Sequence, residues 1–244
     1  MFLSVFDLFK IAIGPSSSHT MGPMTVAGRV LSELANAERS RAQVASAHHL
    51  KVILHGSLAF TGIGHASDRA AILGLAGYRP DTVDPDEMDT IIAKVRETCS
   101  GHPSGYRLFF FDPEADVILD RRIPLPGHAN GMAFEAYDTQ GRLVFGKEYF
   151  SIGGGFVVDQ RELSQTRVGE SPYAIPDVPF PFSTAAEMLA MATASGRSIA
   201  EIERANELAE MSEELLNAGF DAIWRVITIA SIVVSGRRGC SLAA

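Results

Sequence analysis

Cysteine is nearly missing from this chain: its 244 residues hold only Cys99 and Cys240. Two cysteines make no disulfide framework, and neither stands in a CxxC pair, so zinc-ribbon and dithiol redox sites are excluded. Positive charge is also short, with 21 Lys and Arg against 29 Asp and Glu and a formal net charge of -8. A nucleic-acid partner, whose phosphates need a basic face, is therefore not expected. The most apolar late stretch, Ala222 to Ser235, includes Arg225 and falls short of the roughly 20 residues that a bilayer span needs. The opening MFLSVFDLFKIAIG carries Asp7 and Lys10 and lacks the basic start and small-residue cleavage site of a signal peptide. These absences predict a soluble, cytoplasmic protein with no membrane partner.

What is present is an ordinary globular composition, 46% apolar and 20% charged, enough to bury a core. After GPSSSHT, Pro23 opens a helix in which Ala27, Val30, Leu31 and Leu34 follow helical spacing. LKVIL (Leu50 to Leu54) reads as a buried strand, DRAAILGLAGY as a small-residue helix, and Met88, Ile91, Ile92 and Val95 as the stripe of a third helix. Beyond Gly105, the segments YRLFFFD, ADVILD, GMAFEAYD and RLVFGKEYF are short, aromatic and β-branched, and divided by turns. Successive strands with short turns predict an α+β fold built on an antiparallel sheet. A polar stretch with Pro172, Pro176, Pro179 and Pro181 reads as a linker. Beyond it, TAAEMLAMATASG and SIAEIERANELAEMSEELLNAG read as helices, N-capped by Ser183 or Thr184 and by Ser198 and closed by Gly196 and Gly219. The expected division is 1–160, a linker 161–182, and an incomplete helical segment 183–244.

All seven histidines lie in the first 128 residues. Three stand in glycine- or proline-rich loops: His19 in GPSSSHTMGP, His65 in TGIGHASD and His128 in LPGHANGM. Ser16, Ser17, Ser18 and Thr20 add hydroxyl donors just ahead of a helix start, a natural seat for a carboxylate or phosphate; a plain serine-rich cap explains them equally well. His65 precedes Asp68 by three residues, so the acid either orients the imidazole as a base or N-caps the helix. His128 and Asn130 flank a turn ahead of a strand, where turn formation alone is the simpler account. Gly153 to Gly155 form neither GxGxxG nor a Walker loop and read as a bulge or a close contact.

In order and spacing, SVFDLFKIAIGPSSSHTMGPM, HGSLAFTGIGHASDRAAILGLAGYRPDTVDPD, LPGHANGMAF and YFSIGGGF resemble the β domain of iron–sulfur-dependent L-serine dehydratases, the L-serine ammonia-lyases. FPFSTAAEMLAMATASGRSIAEIERANELA resembles the opening of that family's α domain, as in its single-chain members. The resemblance implies a lyase of amino-acid catabolism that converts L-serine to pyruvate and ammonia with a [4Fe-4S] cluster and no pyridoxal phosphate. It implies His65, His19 and His128 as candidates for proton transfer, with His65 favoured. It further implies Ser16, Ser17, Ser18, Thr20, Asp68 and Asn130 as substrate contacts, and a homodimer. A [4Fe-4S] cluster needs three or four thiolates, and neither Cys99 nor Cys240 stands in a ligand motif of the family, so the chain is expected to lack the cluster ligands and to be inactive alone. An α chain or missing α domain is the expected partner.

Two other readings fit the same residues. One is a module that binds a small carboxylate without catalysis, since the family's β domain resembles the allosteric substrate-binding domain of some phosphoglycerate dehydrogenases. The other is an imidazole metal centre built from His19, His65 and His128. An apolar face formed by Leu215, Phe220, Trp224, Ile227 and Val233 is expected to lie open without further helices to cover it.

Overall fold

The computed structural model describes residues 4–39, 47–101, 103, 107–166 and 177–240. Helix α1 (Val5–Leu8) is followed by one π-helical turn (Ser17–Met21) that runs into α2 (Gly22–Arg39), strand β1 (His49–His55), α3 (Ser57–Thr61), α4 (Ser67–Leu75) and α5 (Met88–Thr98). Then come β2 (Ser100–Gly101), β3 (Phe109–Phe110), α6 (Pro113–Asp116), β4 (Val117–Asp120), β5 (Gly131–Tyr137), β6 (Leu143–Gly153) and β7 (Phe156–Asp159). Helices α7 (Gln160–Thr166), α8 (Ala185–Ser195), α9 (Ile199–Glu207) and α10 (Glu213–Cys240) complete the order. The fold is α+β, as the pattern of segments implies.

The chain divides into two compact units, Ala12–Glu170 and Met1–Ile11 with Ser171–Ala244. In the larger, the sheet runs β2-β3-β1-β5-β6-β7, with β4 also on β1. Strands β1, β5, β6 and β7 are antiparallel neighbours, whereas β3 and β4 pair with β1 in parallel. The sheet is therefore mixed rather than purely antiparallel, because the helices between β1 and β4 carry the chain across before it returns, as parallel pairing requires. Alternation decides which face is buried: Leu50, Val52 and Leu54 on β1 and Met132, Phe134 and Ala136 on β5 are buried. They pack with Met24, Ala27, Val30 and Leu31 of α2 and with Ala70, Ile72, Leu73 and Leu75 of α4. A second, smaller cluster places Leu163 of α7 on Phe150 and Val158, so the start of the stretch read as linker is helical and anchored. Residues 167–176, with Pro172 and Pro176, lie outside the described residues.

A charge cluster fastens α2 to the sheet. Arg29 pairs with Glu33, Asp159 and Glu162, and Lys147 pairs with Glu33 and Asp159. Both cations lie over the ring of buried Tyr149, at 5.4 and 5.3 Å.

In the smaller unit, Thr184 and Ser198 each build a reciprocal capping box, with Glu187 and Glu201, and Gly196 closes α8 in the left-handed region. Gly219 does not end a helix. It lies inside α10, where a side chain would collide with the ring of Phe6, and the helical segment from Ser198 to Gly219 is divided between α9 and α10. Buried Glu207 takes hydrogen bonds from the Val5 amide and the Ser4 hydroxyl, holding α1 beside α9. Leu215, Trp224 and Ile227 are exposed on α10, at 65%, 71% and 45%. Phe220 is partly covered by Phe6, with ring centroids 5.6 Å apart; the side chain of Val233 lies outside the described residues. Because α10 begins well before the apolar run at Ala222, the helical segment Glu213–Ile232 is, by length and composition only, long and apolar enough to cross a membrane, a longer stretch than the Ala222–Ser235 run weighed in the sequence.

Candidate active site

The serine-rich run folds back on itself. The Ser16 hydroxyl caps the π-helical turn by accepting the His19 amide at 3.2 Å, and the Thr20 hydroxyl accepts the Ser16 amide at 3.2 Å. Thr20 in turn donates to the His65 carbonyl at 2.8 Å, tying the loop before α4 to the turn before α2. As a result the His19 and His65 rings lie 4.9 Å apart, tilted by 41°. Their convergence follows from α2 and α4 packing side by side through small residues, with Gly74 so close to Ala27 and Met24 that any side chain there would collide.

His19 is held at both nitrogens. Nδ1 is 2.8 Å from the Ser18 hydroxyl and Nε2 is 2.9 Å from the hydroxyl of Ser57. Ser57 opens α3 directly after β1, and its amide donates to the Ala129 carbonyl at 2.8 Å. Gly56 makes this junction possible: it has φ of 55° and any side chain would strike the Ala129 oxygen, so only glycine fits without strain. Through Ser57, the His128–Asn130 loop is fixed to the same corner as His19 and His65. Within that loop His128 Nδ1 accepts the Asn130 amide at 3.1 Å, and Asn130 Nδ2 donates to the Ser151 carbonyl at 3.1 Å. Gly155, at φ of 79°, lets the β6–β7 turn close over Met21 of the π-helical turn.

The three loops singled out in the sequence therefore converge. Ser16, Ser18, His19, Thr20, His65, His128 and Asn130 belong to one hydrogen-bonded corner, while Ser17 is exposed on its rim. His65 Nδ1 lies 3.1 Å from the Thr61 carbonyl, not from Asp68. Asp68 does not cap α4 either, since Ala66 stands at the cap with no side-chain hydrogen bond; Asp68 Oδ1 is buried without a partner. Ser57 is the residue that the sequence reading missed. Nothing in HGSLAF distinguishes it from an ordinary helix start, and its importance appears only when the loop at Ala129 returns. Burial, and secondarily the neighbouring His65 imidazole, holds the pKa of His19 below the ordinary histidine value.

No group of three or more His, Cys, Asp or Glu side chains converges as a metal site among the described residues, so the three imidazoles do not make the metal centre considered above. A [4Fe-4S] cluster does not fit the cysteines of this chain either. Cys99 ends α5 with its thiol directed to the Arg96 carbonyl, the side chain of Cys240 lies outside the described residues, and two thiols leave the ligand set short.

One α+β domain thus gathers imidazoles and hydroxyls, groups able to accept and donate protons, in one corner. The chain belongs to the serine dehydratase family: the model described as serine dehydratase beta chain matches residues 4–162. It is 40% identical over 227 residues to an L-serine dehydratase of Streptomyces coelicolor, covering 93% of this chain and 48% of the relative. It is 39% identical over 228 residues to L-serine dehydratase TdcG of Escherichia coli, covering 92% and 47%. An L-serine dehydratase of Haemophilus influenzae is 35% identical over 226 residues, covering 92% and 48%. The chain thus spans about half the length of the curated relatives it matches.

Proposed function

We propose that this chain carries the half of an L-serine ammonia-lyase that holds the amino acid and moves its protons. The observation that carries this reading is the difference among three imidazoles. A carbonyl only accepts, so the 3.1 Å contact of His65 Nδ1 with the Thr61 oxygen, which also accepts the His65 amide, is a hydrogen bond only with the proton on Nδ1; the Nε2 lone pair then meets no partner among the described residues. His128 accepts at Nδ1 from a backbone amide, so its neutral form carries the proton on Nε2 and is a donor. His19 has both nitrogens engaged. Of the three, His65 is the one fitted to be a base.

In this reading His65 Nε2 takes the α-proton of L-serine, the C–H electron pair forms the Cα=Cβ bond, and the Cβ–O bond breaks. The departing hydroxide leaves as water once protonated, with His128 Nε2–H the available donor. The remaining 2-aminoacrylate tautomerises to the imine, and one water hydrolyses it to pyruvate and ammonia. The Ser16–Thr20 turn is assigned to the carboxylate end, with Ser17 exposed on its rim and Ser16, Ser18 and Thr20, whose hydroxyls are engaged within the turn and with the His65 carbonyl, shaping it; Asp68 is assigned to the ammonium end, and Asn130 orients the substrate through its remaining amide oxygen. The cluster thiolates come from another polypeptide or domain, the working enzyme is a homodimer of such pairs, and it acts in the cytoplasm. The short count of cysteines in this chain supports the division.

The test is anaerobic assembly with iron and sulfide, with and without a polypeptide matching the other half of the relatives. The chain alone is expected to give no stable chromophore and no pyruvate. The pair is expected to turn over L-serine, and His65→Gln in the pair to lose roughly 100-fold to 10,000-fold in rate. A stable cluster with serine turnover by the chain alone contradicts the division, and a fully active His65→Gln pair removes His65 as the base. Binding of L-serine without turnover by the assembled pair would favour the small-carboxylate module.

A further inference from the structure

Ser57 has a role beyond joining loops, and the direction of the hydrogen bonds around His19 defines it. The Ser16 oxygen already accepts the His19 amide, and among the described residues the acceptor that neighbours its own hydroxyl is the Ser18 oxygen, at 3.4 Å. If Ser16 donates to Ser18, then Ser18 donates to His19 Nδ1 at 2.8 Å. The imidazole proton must then sit on Nε2 and point to the Ser57 oxygen at 2.9 Å. The Ser16 and Ser18 hydroxyls then each accept and donate once. In the opposite direction Ser57 would donate to His19 Nε2, and the Ser16 oxygen would take two donors while its proton met no acceptor among the described residues. Hydroxyl groups in a partly buried site are satisfied in this chain-like manner.

We infer that Ser57 is a positioning residue which locks His19 as its Nε2–H tautomer and, because its oxygen is thereby occupied as an acceptor, presents its own hydroxyl proton to an anionic ligand group. A carboxylate is the chemistry that fits: the Ser57 hydroxyl meets no other acceptor among the described residues, and both the His65 ring and the His128–Asn130 loop adjoin it through His19 and Ala129. The carboxylate part of this inference rests on the L-serine reading above; the tautomer part does not. Neutral His19 is in keeping with its burial.

The decisive measurement is nitrogen-15 NMR of the histidine rings in the full chain, with His19 assigned. The wild-type spectrum is expected to show a protonated Nε2 and an unprotonated Nδ1. Ser57→Ala keeps the backbone bond to Ala129 and is expected to shift His19 to a mixture of tautomers, while Ser57→Thr, which restores a hydroxyl, is expected to recover the wild-type pattern. A protonated Nδ1 in the wild-type chain overturns the inference without need of any variant, as does a Ser57→Ala spectrum with His19 unchanged. Calorimetry with L-serine and with acetate is the second arm. Losing a hydrogen bond to a charged group is expected to weaken both by roughly 10-fold to 100-fold in Ser57→Ala. Equal affinity in wild type and Ser57→Ala overturns the carboxylate contact. Acetate binding that depends on Ser57 without any binding of L-serine would keep the inference and contradict the serine reading. No binding of either ligand by the wild-type chain would overturn the carboxylate contact and leave the tautomer to be judged on the spectrum.

Discussion

His19 and His65, from segments that precede different helices, bring their rings together, tilted, with centroids 4.9 Å apart. Two imidazoles this close resist double protonation, and burial adds to the cost at His19, whose pKa lies below the ordinary value of 6.5. A histidine with a lowered folded pKa contributes stability that is complete above the unfolded value and is lost as pH falls toward the folded one. His19 is therefore expected to titrate below 6.5 by NMR. Because burial is the larger cause, His65→Ala should raise that value only part of the way. A His19 pKa above 6.5 would contradict the packing described.

Gly56→Ala tests the junction that fixes Ser57. With φ of 55° and the Ala129 oxygen in the way, even one methyl group should cost about 2 kcal/mol or more and broaden the amide signals of residues 128–130. Gly14→Ala, where nothing lies within 4 Å, is the matched control and should change the unfolding midpoint little.

The α2 charge cluster should give the larger unit an acid-sensitive stability. Hydrogen bonds from the Arg29 guanidinium hold Glu162 below the usual carboxylate range. For Asp159, burial pushes upward but is outweighed by the Glu162 amide and Lys147, so it too is depressed. A depressed carboxylate contributes stability above its unfolded pKa and loses it as pH falls through the folded value. The urea midpoint should therefore drop below about pH 4. Arg29→Met should cost about 1–2 kcal/mol at pH 7 and flatten that acid dependence.

How much of this was readable in advance differs by element. The sheet strands β1, β5 and β6 announce themselves by short runs of apolar, aromatic and β-branched residues between turns, and the caps at Thr184 and Ser198 by their hydroxyls ahead of helical runs. The parallel pairing of β3 and β4 with β1 does not, because it depends on helices crossing the sheet rather than on any local pattern. At the site, the loop motifs point to His19, His65 and His128, but the sequence suggested Asp68 as the partner of His65 where the Thr61 carbonyl takes that place. Ser57 and Glu207 were invisible for the same reason: each gains its role from a residue far away in the chain, Ala129 for one and Ser4 with Val5 for the other.

Glu207→Ala removes the buried acceptor of the Val5 amide and Ser4 hydroxyl. The first residues should then become cleavable by trypsin at Lys10, with the histidine signals of the larger unit unchanged. Protection equal to wild type would show that Glu207 does not anchor α1.

Exposed Leu215, Trp224 and Ile227 on α10 should drive association in water. A shortened chain ending near residue 180 is expected to stay soluble at concentrations where the full chain precipitates. Greater aggregation of the shortened chain would contradict this.

The central claim is that one corner, made by the turn at Ser16–Thr20 and the loops at His65 and His128, receives the amino acid. Titrating the nitrogen-15 labelled chain with L-serine tests it most directly. Saturable shifts confined to the rings of His19, His65 and His128 and to the amides of Ser57 and Asn130 are the expected result. Shifts centred elsewhere, or none at saturating L-serine, would contradict it.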